Sequence, residues 1–422
     1  MLQEYPLLCQ KRDQALIALV LAALLFLSYP PSAVMFKSLF YFPRASGSSS
    51  SLHTPSLVRW SRHVAPLSSP TELQTPRPRR FAGATPLPGA GSHDSPLTVF
   101  TSSDCLGHHI LGHPESPQRL QQLLNTSVTT SRELGFPVHH SMARATKDNL
   151  ERVHDRKYVE RMYHLFQEMQ ERASPLPLDG DTTLSQGTEV AALRAAGIVV
   201  QAVDAVLGRA PLPEGQTAPR RAFAMVRPPG HHAEPDKAMG FCIFNNVMVG
   251  CAHAQSPLHG MAHTTAARVA VLDFDVHHGN GDQAMCWDHR DRFYASTHQA
   301  PLFPGTGAAT ETGAYDNVVN VPLVHGAGSQ EFRAAWRDVI LPRVTAFAPD
   351  LVMISAGFDG HWRDPLANLA LDEADFYWVT KEIVQVAETV SAGRVVSVLE
   401  GGYDIEALGS SVSEHLRALH ES

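Results

Sequence analysis

The segment Val269–Asp282, VAVLDFDVHHGNGD, places acidic and imidazole side chains directly after a short apolar run. An uninterrupted apolar run that ends in a glycine-rich turn is typical of a strand buried on both faces of a parallel sheet. Side chains alternate along a strand, so we expect Asp273, Asp275 and His277 to share one face. Ligands usually bind at the carboxyl edge of such a sheet. The spacing predicts a metal site, although a loop that is simply rich in Asp and His is an equal alternative.

Three other apolar runs also end in side chains that can do chemistry. If all four strands are parallel, their carboxyl ends meet at one edge of the sheet, and the side chains that follow them share one pocket. The runs are Ala222–Val226 before His231 and His232, Leu351–Ser355 before Asp359, and Val395–Leu399 before Tyr403. This convergence is more specific than any one of the motifs.

Asp275, His277 and Asp359 together offer an imidazole and two carboxylates as ligands. Three ligands of this kind leave coordination positions open for water and substrate, as catalytic zinc requires. Such a metal polarises an acyl oxygen and lowers the pKa of its bound water. His231 and His232 are then expected to lie beside that water as general base and general acid. The pattern therefore predicts a hydrolytic metal site.

Two further side chains have expected supporting roles. The phenol of Tyr403 can donate a hydrogen bond to a developing oxyanion opposite the metal. Asp273 precedes the first ligand by two residues and can orient one of the histidines. Taken alone, a Tyr after a Gly-Gly turn is better explained as a packing residue, so the role of Tyr403 depends on the other motifs.

From about Leu97 onward the sequence alternates short apolar runs with longer helical stretches. This alternation predicts an α/β fold, in which a central, mainly parallel sheet is covered by helices on both faces. We find no internal repeat and no second domain boundary, so residues 96–422 are expected to form a single three-layer domain. The other predicted elements are strands at Leu97–Phe100 and Phe293–Ser296, a helix that opens near Pro117, and helices at Glu189–Leu207, Gln330–Phe347 and Asp372–Val390.

The composition argues against several classes of protein. The chain has 422 residues, of which 44% are hydrophobic, enough to form a sizeable core. Its formal net charge of -8 argues against a protein that binds nucleic acid by neutralising many phosphates. The 5 cysteines form no C-x-x-C pair, so neither a disulfide framework nor a thiolate zinc site is indicated.

Residues 1–95 differ sharply from the rest and are predicted to be a targeting or disordered leader. Ala15–Leu27 is an apolar run preceded by two basic residues, short for a membrane span but suited to the core of a signal sequence. The residues that follow, up to His93, are rich in Ser, Pro and Arg and contain Glu72 as their only acid. This composition is typical of a transit peptide, so import into a plastid or a mitochondrion is expected.

Other interpretations of the leader remain open. The apolar run allows a secretory or two-stage route, and a merely disordered tail leaves the protein in the cytoplasm or nucleus. Translation from Met35 removes the apolar run altogether. In each case the mature domain is expected to have no stable membrane insertion.

Six motifs occur in a fixed order and together resemble one family. They are RPPGHHAE, GFC, DFDVHHGNG, FPGTG, AGFD and EGGY, and they resemble those of the zinc-dependent histone deacetylases of the arginase–deacetylase fold. The resemblance extends from roughly Leu97 to the C-terminus. EGGY and HHGN are similar to the class II branch, and the leader resembles that of plastid or mitochondrial members in plants and algae.

The resemblance implies a role for each matching residue. It implies one zinc ion and, near the histidine pair, a potassium ion. The implied zinc ligands are Asp275, His277 and Asp359; the implied acid–base groups are His232 with its neighbour Asn280, and His231 backed by Asp273; the oxyanion donor is Tyr403; the tunnel walls are Gly240, Phe241 and Phe303; the rim residues are Asp181 and Leu366; and the potassium ligands are Asp273, Ser296 and the main-chain carbonyls of Asp275 and His277.

The implied activity is the removal of acetyl groups from N6-acetyl-lysine of histones or other proteins. A deacetylase of acetylpolyamines or other small amines is the first alternative, and a non-catalytic zinc-binding scaffold is the second. A two-manganese ureohydrolase of the same fold is poorly supported, because Gly279 and His361 stand where it requires further carboxylates. The expected partner is an acetylated protein or peptide, with no direct nucleic-acid contact, and the oligomeric state stays open.

Two departures from the family pattern are evident in the sequence. Asp282 stands where many relatives have Thr, and we expect it to face the interior of the fold. Ser116 replaces the commoner Arg between Glu115 and Pro117. Neither position carries an implied ligand or acid–base group, so the catalytic set is complete.

Overall fold

In the computed structural model, which describes residues 95–210, 217–257 and 265–421, eight strands form one sheet in which every neighbouring pair is parallel. Its spatial order is β2-β1-β5-β10-β9-β6-β7-β8, and the remaining two strands pair as a small antiparallel hairpin. In chain order the strands are β1 (Leu97–Thr101), β2 (Val138–His140), β3 (Leu176–Pro177), β4 (Thr183–Leu184), β5 (Arg221–Met225), β6 (Val269–Asp273), β7 (Arg292–Gln299), β8 (Val318–Leu323), β9 (Leu351–Ala356) and β10 (Val395–Leu399).

The central strands are short apolar runs because both of their faces are covered. Every residue of β5, β6, β9 and β10 is buried. Polar and apolar side chains therefore do not alternate along these strands, and most of their residues are apolar. All six predicted strands are confirmed within one to three residues at their ends. The predicted parallel α/β architecture is confirmed with them.

Two sheet strands have no counterpart in the prediction. Val138–His140 is a three-residue edge strand without a fully buried position, so it has no apolar run to recognise. Val318–Leu323 forms the opposite edge and contains Pro322, a residue that is tolerated in strands mainly at edges. Edge strands are only half covered, which weakens the pattern on which the prediction depends.

Helices form the outer layers. Thr188–Val206 and Asn246–Gln255 pack against each other and against central strands, while Pro117–Leu134, Glu373–Val390 and Ile405–Glu421 form a second group in which each helix packs against a neighbour. These and the other helices of the described residues are Ser103–Gly107 (a 3₁₀ turn), Pro117–Leu134, Lys147–Leu150, Arg156–Glu171, Thr188–Val206, Asn246–Gln255, Asn280–Cys286, Ser329–Ala334, Leu341–Phe347, Glu373–Val390 and Ile405–Glu421.

The helix predicted at Gln330–Phe347 is interrupted by a wider, π-helical turn at Ala335–Ile340. Pro342 follows this turn and lacks the N–H that an α-helix needs for its bond to the carbonyl four residues earlier. Local widening of the helix accommodates such a lost bond. The helices predicted at Glu189–Leu207 and Asp372–Val390 are confirmed within one residue at each end.

The four strands predicted to carry chemistry are consecutive neighbours in the sheet. Their order is β5-β10-β9-β6, and because all four are parallel, their carboxyl ends meet at one edge. Residues 1–94, with the predicted leader, lie outside the described residues, so the domain boundary near residue 95 stays a prediction. Within the described part of the chain, no helix is both long enough and apolar enough to cross a membrane.

Candidate active site

Three buried side chains form a cluster with metal-binding geometry at the carboxyl edge of the sheet. One ligand atom each from Asp275, His277 and Asp359 lies within 4.8 Å of the other two. Nδ1 of His277 lies 3.2 Å from Oδ1 of Asp275 and 3.0 Å from Oδ2 of Asp359. Burial opposes a charge on His277, yet the two carboxylates raise its pKa to about 10. The cluster therefore favours a positive charge at its centre, as a site for a divalent cation with N and O ligands requires.

The backbone around the cluster fixes both carboxylates. The N–H of Val276 donates to Oδ1 of Asp359 at 2.9 Å, and the N–H of Gly401 donates to Oδ2 of Asp275 at 2.8 Å. A Cβ atom on Gly401 would overlap both carboxylates, so this position accepts only glycine. Each carboxylate keeps one oxygen directed at His277, and the ligand set is thus held in place before any ion binds.

The local geometry differs from the alternating strand that we expected. Strand β6 ends at Asp273, and Asp275 and His277 lie in the bend that follows it. The N–H of Asp275 donates to Oδ1 of Asp273 at 3.0 Å, and the N–H of His277 donates to Oδ1 of Asp275 at 2.9 Å. These two bonds bend the chain after β6. Asp275 and His277 therefore approach each other through this bend and not through alternation along a strand.

His231 and His232 lie side by side next to the cluster, with ring centroids 4.0 Å apart. Nδ1 of His231 lies 3.2 Å from Oδ2 of Asp273, and Nδ1 of His232 lies 2.9 Å from Oδ1 of Asn280. Burial disfavours charge on both rings, but the carboxylates of Asp275 and Asp273 raise the pKa of His231 well above its ordinary value. Burial and the neighbouring charges of His231 and His277 hold the pKa of His232 well below it. The surroundings therefore favour a proton on His231 more than on His232.

Sequence reasoning missed two residues that support the histidine pair. Oε2 of Glu400 accepts hydrogen bonds from the backbone N–H groups of Gly230 at 2.6 Å and His231 at 3.1 Å, and burial raises the pKa of this carboxyl group to about 8. Tyr294 donates from its hydroxyl to Oδ2 of Asp273 at 3.0 Å. Glu400 stands within the EGGY motif, where an acid after an apolar strand was a recognisable feature; nothing in the sequence marks Tyr294.

Asp282 faces the interior, as expected. Its carboxylate accepts hydrogen bonds from Nδ2 of Asn245 at 2.7 Å and from Oγ of Ser355 at 2.6 Å. Burial, with a contribution from the carboxylate of Asp273, raises its pKa to about 7. The side chain thus connects Asn245, which precedes the helix Asn246–Gln255, to Ser355 on strand β9.

Aromatic rings flank the histidine pair and the triad. The ring of Phe303 lies 5.0 Å from that of His232, and the ring of Phe241 lies 5.7 Å from that of Tyr403. Gly240 and Phe241 both have positive φ, 56° and 67°, and a Cβ atom on Gly240 would overlap the ring of His232. Phe303 is 39% exposed, so its ring faces solvent beside His232.

Tyr403 is held by a buried arginine that sequence reasoning also missed. The guanidinium of Arg119 lies 4.9 Å from the centroid of the Tyr403 ring and donates to the carbonyl oxygens of Gly402 at 2.6 Å and Glu400 at 2.5 Å. Its charge is balanced by Glu115 at 3.1 Å. Burial raises the pKa of Tyr403 well above its ordinary range, so the phenol stays protonated and can donate a hydrogen bond.

The side chains of the predicted rim residues Asp181 and Leu366 and of the predicted potassium ligand Ser296 form no direct hydrogen bond with the Asp275/His277/Asp359 triad within the described residues. Asp181 accepts from Oγ1 of Thr182 at 3.0 Å, and the same hydroxyl accepts from the N–H of Phe241. Leu366 is half-buried in the segment that follows Asp359, and its N–H donates to Asp364. Ser296 is the register partner of Asp273 on β7, and its Oγ contacts Nδ1 of His298 at 2.9 Å. The potassium site stays a prediction.

A family model for the histone deacetylase domain matches residues 113–419, more than half of the chain and all four chemistry-bearing strand ends. The chain belongs to the histone deacetylase family. The chain is therefore a deacetylase-family hydrolase, and its buried Asp/His/Asp cluster, which could hold a metal ion, is typical of the zinc enzymes of this family.

Named relatives of this chain occur in plants. "Histone deacetylase 14, chloroplastic" of Arabidopsis thaliana is 36% identical over 333 residues, which cover 76% of this chain and 76% of that protein. "Histone deacetylase 10, chloroplastic" of Oryza sativa subsp. japonica is 36% identical over 333 residues, 76% of this chain and 72% of that protein. The crystal structure of the HDA15 HD domain is similar with a TM-score of 0.67 and 31% identity, covering 77% of this chain and 88% of that one.

Proposed function

We propose that this protein is a zinc-dependent amidohydrolase that removes acetyl groups from N6-acetyl-lysine of proteins. The observation that carries the proposal is the pairing of the buried Asp275/His277/Asp359 triad with two adjacent histidines, His231 and His232, whose Nδ1 atoms contact Asp273 and Asn280. When bound, zinc supplies a Lewis acid that polarises the acyl oxygen and acidifies water. The donor set, two carboxylates and one imidazole with open positions, fits this ion.

His232 is arranged to accept a proton at Nε2. Nδ2 of Asn280 donates to the carbonyl of His232 and to Glu234, so Oδ1 of Asn280 is an acceptor and Nδ1 of His232 must carry the hydrogen. Nε2 therefore keeps its lone pair and can take a proton from the attacking water. The same atom then returns that proton to the departing lysine amine.

The other side chains stabilise charge and exclude water. His231, whose pKa is raised by the carboxylates of Asp275 and Asp273, supports the negative charge that develops on the acyl oxygen, and the hydroxyl of Tyr403 donates to this oxyanion from the opposite side. The rings of Phe241 and Phe303 confine the methylenes of the lysine side chain between them.

A turnover assay on a fluorogenic acetyl-lysine peptide tests the activity. Purified protein should hydrolyse the peptide, lose activity to a chelator and regain it with added zinc. Absence of turnover in zinc-loaded protein would favour the non-catalytic scaffold instead. The ureohydrolase alternative has little support at this site, because His361 directs Nε2 toward Glu373, 3.5 Å away, and Gly279 offers no ligand.

The preference for peptide over polyamine substrates depends on Leu366. An ammonium group that faces an apolar rim loses hydration without compensation, so a polyamine specialist needs a carboxylate there. We expect acetyl-lysine peptides to exceed N-acetylspermidine in kcat/KM. Leu366→Glu should improve the use of N-acetylspermidine about tenfold, as a hydrogen bond to a charged group allows, whereas the uncharged Leu366→Gln should not. A wild-type preference for the polyamine would contradict the proposal.

The leader is proposed to direct the protein to a plastid, with a mitochondrion as the second destination. The acid-poor composition up to His93 supports this, and both plant relatives described above are named chloroplastic. A fluorescent fusion that carries residues 1–95 alone should accumulate in the organelle. Diffuse cytosolic or nuclear fluorescence, or entry into the secretory route, would contradict this destination.

A further inference from the structure

The general-base histidine is connected through a side-chain amide to a carboxylate outside the predicted site. Nδ1 of His232 lies 2.9 Å from Oδ1 of Asn280, and Nδ2 of Asn280 donates to Oε1 of Glu234 at 2.8 Å. His232 and Asn280 are buried, whereas Glu234 is half-buried. These three side chains form an imidazole–amide–carboxylate chain that starts at the base and ends in a negative charge.

Glu234 is the strongest of the acceptors around the amide nitrogen of Asn280. The other two are the carbonyl oxygen of His232 and Sδ of Met239, each 3.3 Å from Nδ2. Both contacts are longer, and a thioether is a weak acceptor. A hydrogen bond to an ionised carboxylate is roughly twice as strong as one between neutral groups. Glu234 therefore has the largest effect on the direction in which the amide faces.

The backbone of Glu234 is itself held in place. Its N–H donates to the carbonyl oxygen of Lys237 at 2.9 Å, and its carbonyl oxygen lies 3.0 Å from Nδ1 of His154. Nε2 of this buried histidine accepts from the N–H of Asn245 at 2.9 Å, so the ring hydrogen is on Nδ1 and is donated to Glu234. The carboxylate thus extends from a fixed backbone toward Asn280.

The direction of the amide decides where the ring of His232 carries its hydrogen. With Oδ1 of Asn280 facing the ring, the hydrogen stays on Nδ1 and Nε2 keeps its lone pair. A rotated amide would direct its N–H groups at Nδ1, and the ring hydrogen would then have to lie on Nε2. The ring could not accept a proton there, and the general base would be lost.

The negative charge of Glu234 also acts along the chain of hydrogen bonds. Hydrogen bonds in series polarise one another, so a carboxylate at the amide nitrogen makes the amide oxygen a stronger acceptor. That oxygen faces the ring of His232, which becomes positively charged once it has taken a proton from the attacking water. The neutral amide beside the base is therefore supported by a charge one side chain further out.

We propose that Glu234 is a positioning residue that acts through Asn280, holding the ring hydrogen of His232 on Nδ1 and stabilising the charge that this ring gains during hydrolysis. The second of these roles rests on the proposed amide hydrolysis. The first concerns the resting protein and does not require a substrate.

Kinetics of full-length Glu234→Ala on the acetyl-lysine peptide test the proposal. We expect kcat to fall about 10- to 100-fold, the range for a lost hydrogen bond to a charged group. KM should change far less, because the charge on His232 develops only in the transition state. The control is Asp236→Asn, which removes a carboxylate from the exposed turn two residues further on and should leave kcat near the wild-type value.

Exchanging the carboxylate and the amide separates this role from a purely structural one. Asn280→Asp alone places two carboxylates where the 2.8 Å bond to Glu234 now lies, and their repulsion should lower kcat. Glu234→Gln added to Asn280→Asp restores a donor and an acceptor at that contact. We expect the double variant to exceed Asn280→Asp in kcat by about tenfold, a coupling within the range for residues in one hydrogen-bond network, although Glu234→Gln alone lowers kcat. Additive losses would overturn the proposal.

The position of the ring hydrogen is measured without substrate. Nitrogen NMR of full-length, histidine-labelled protein distinguishes a ring nitrogen that carries hydrogen from one that does not, and His232→Asn identifies the signals of His232. We expect hydrogen on Nδ1 in the wild type and a share of it on Nε2 in Glu234→Ala. If the wild type does not hydrolyse the peptide, the proposed activity fails, and this measurement alone decides the role of Glu234: an unchanged ring would overturn it. If Glu234→Ala fails to fold, Glu234→Gln is measured in the same way and judged by the same outcomes.

Discussion

We expect Tyr403→Phe to lower kcat by about 100- to 1000-fold, the usual effect of removing one oxyanion donor. The change deletes only the hydroxyl. The ring keeps its contacts with the guanidinium of Arg119 and the ring of Phe241, which lie 4.9 and 5.7 Å from it, centre to centre. Because the lost hydrogen bond forms in the transition state, KM should change far less than kcat.

Two controls separate this role from packing. Metal content and Tm of Tyr403→Phe should match those of the wild type, because the hydroxyl forms no hydrogen bond with another of the described residues. A variant at Phe241, such as Phe241→Leu, alters the pocket wall and is expected to raise KM. If Tyr403→Phe retains near wild-type kcat, the tyrosine is a packing residue, as its position after a Gly-Gly turn allows.

Asp359→Asn should abolish metal binding and, with it, activity. The amide keeps the size of the side chain and an oxygen that can accept from Val276, but it removes the negative charge that faces His277 at 3.0 Å. A three-ligand catalytic site that loses a charged ligand no longer holds its ion. Metal analysis of the purified wild type should find about one zinc per chain, and the variant should contain almost none.

Asp364→Asn is the matched control for this prediction. Asp364 is also buried, and its carboxylate accepts from the N–H groups of Tyr403 at 2.7 Å and Leu366 at 2.9 Å, but it is not part of the triad. The control should retain its zinc even if its turnover falls. Retention of zinc by Asp359→Asn, or two tightly bound manganese ions in the wild type, would contradict the mononuclear site.

The sequence predicted the strands and the site residues best where a buried apolar strand is followed directly by side chains that can act as ligands or as acid–base groups. Short apolar runs that end in Asp, His or Gly identified the four neighbouring strands, because a parallel sheet buries both faces and leaves its polar side chains at the carboxyl edge. The motifs then named the triad, the histidine pair and Tyr403. That the ends of these four strands share one pocket was inferred from this chemistry, whereas their order in the sheet, β5-β10-β9-β6, was not predicted.

The supporting residues that were not predicted contact site residues that are far from them in sequence. Arg119 reaches Gly402 across 283 positions, and Tyr294 reaches Asp273 through the pairing of two strands. Such contacts depend on how remote segments pack, and a single sequence carries no pattern that reports them.

The position of strand β10 limits when the sheet can close. Among the strands of the described residues it comes last in the chain, yet it lies between β5 and β9 and is the only strand that joins the β2-β1-β5 and β9-β6-β7-β8 groups within the sheet. A nascent chain released before Val395 therefore holds two separate half-sheets with bare inner edges, which are prone to aggregate. Folding on the ribosome cannot finish before the C-terminal segment emerges. Truncated proteins that end before β10 should accordingly depend on chaperones to stay soluble.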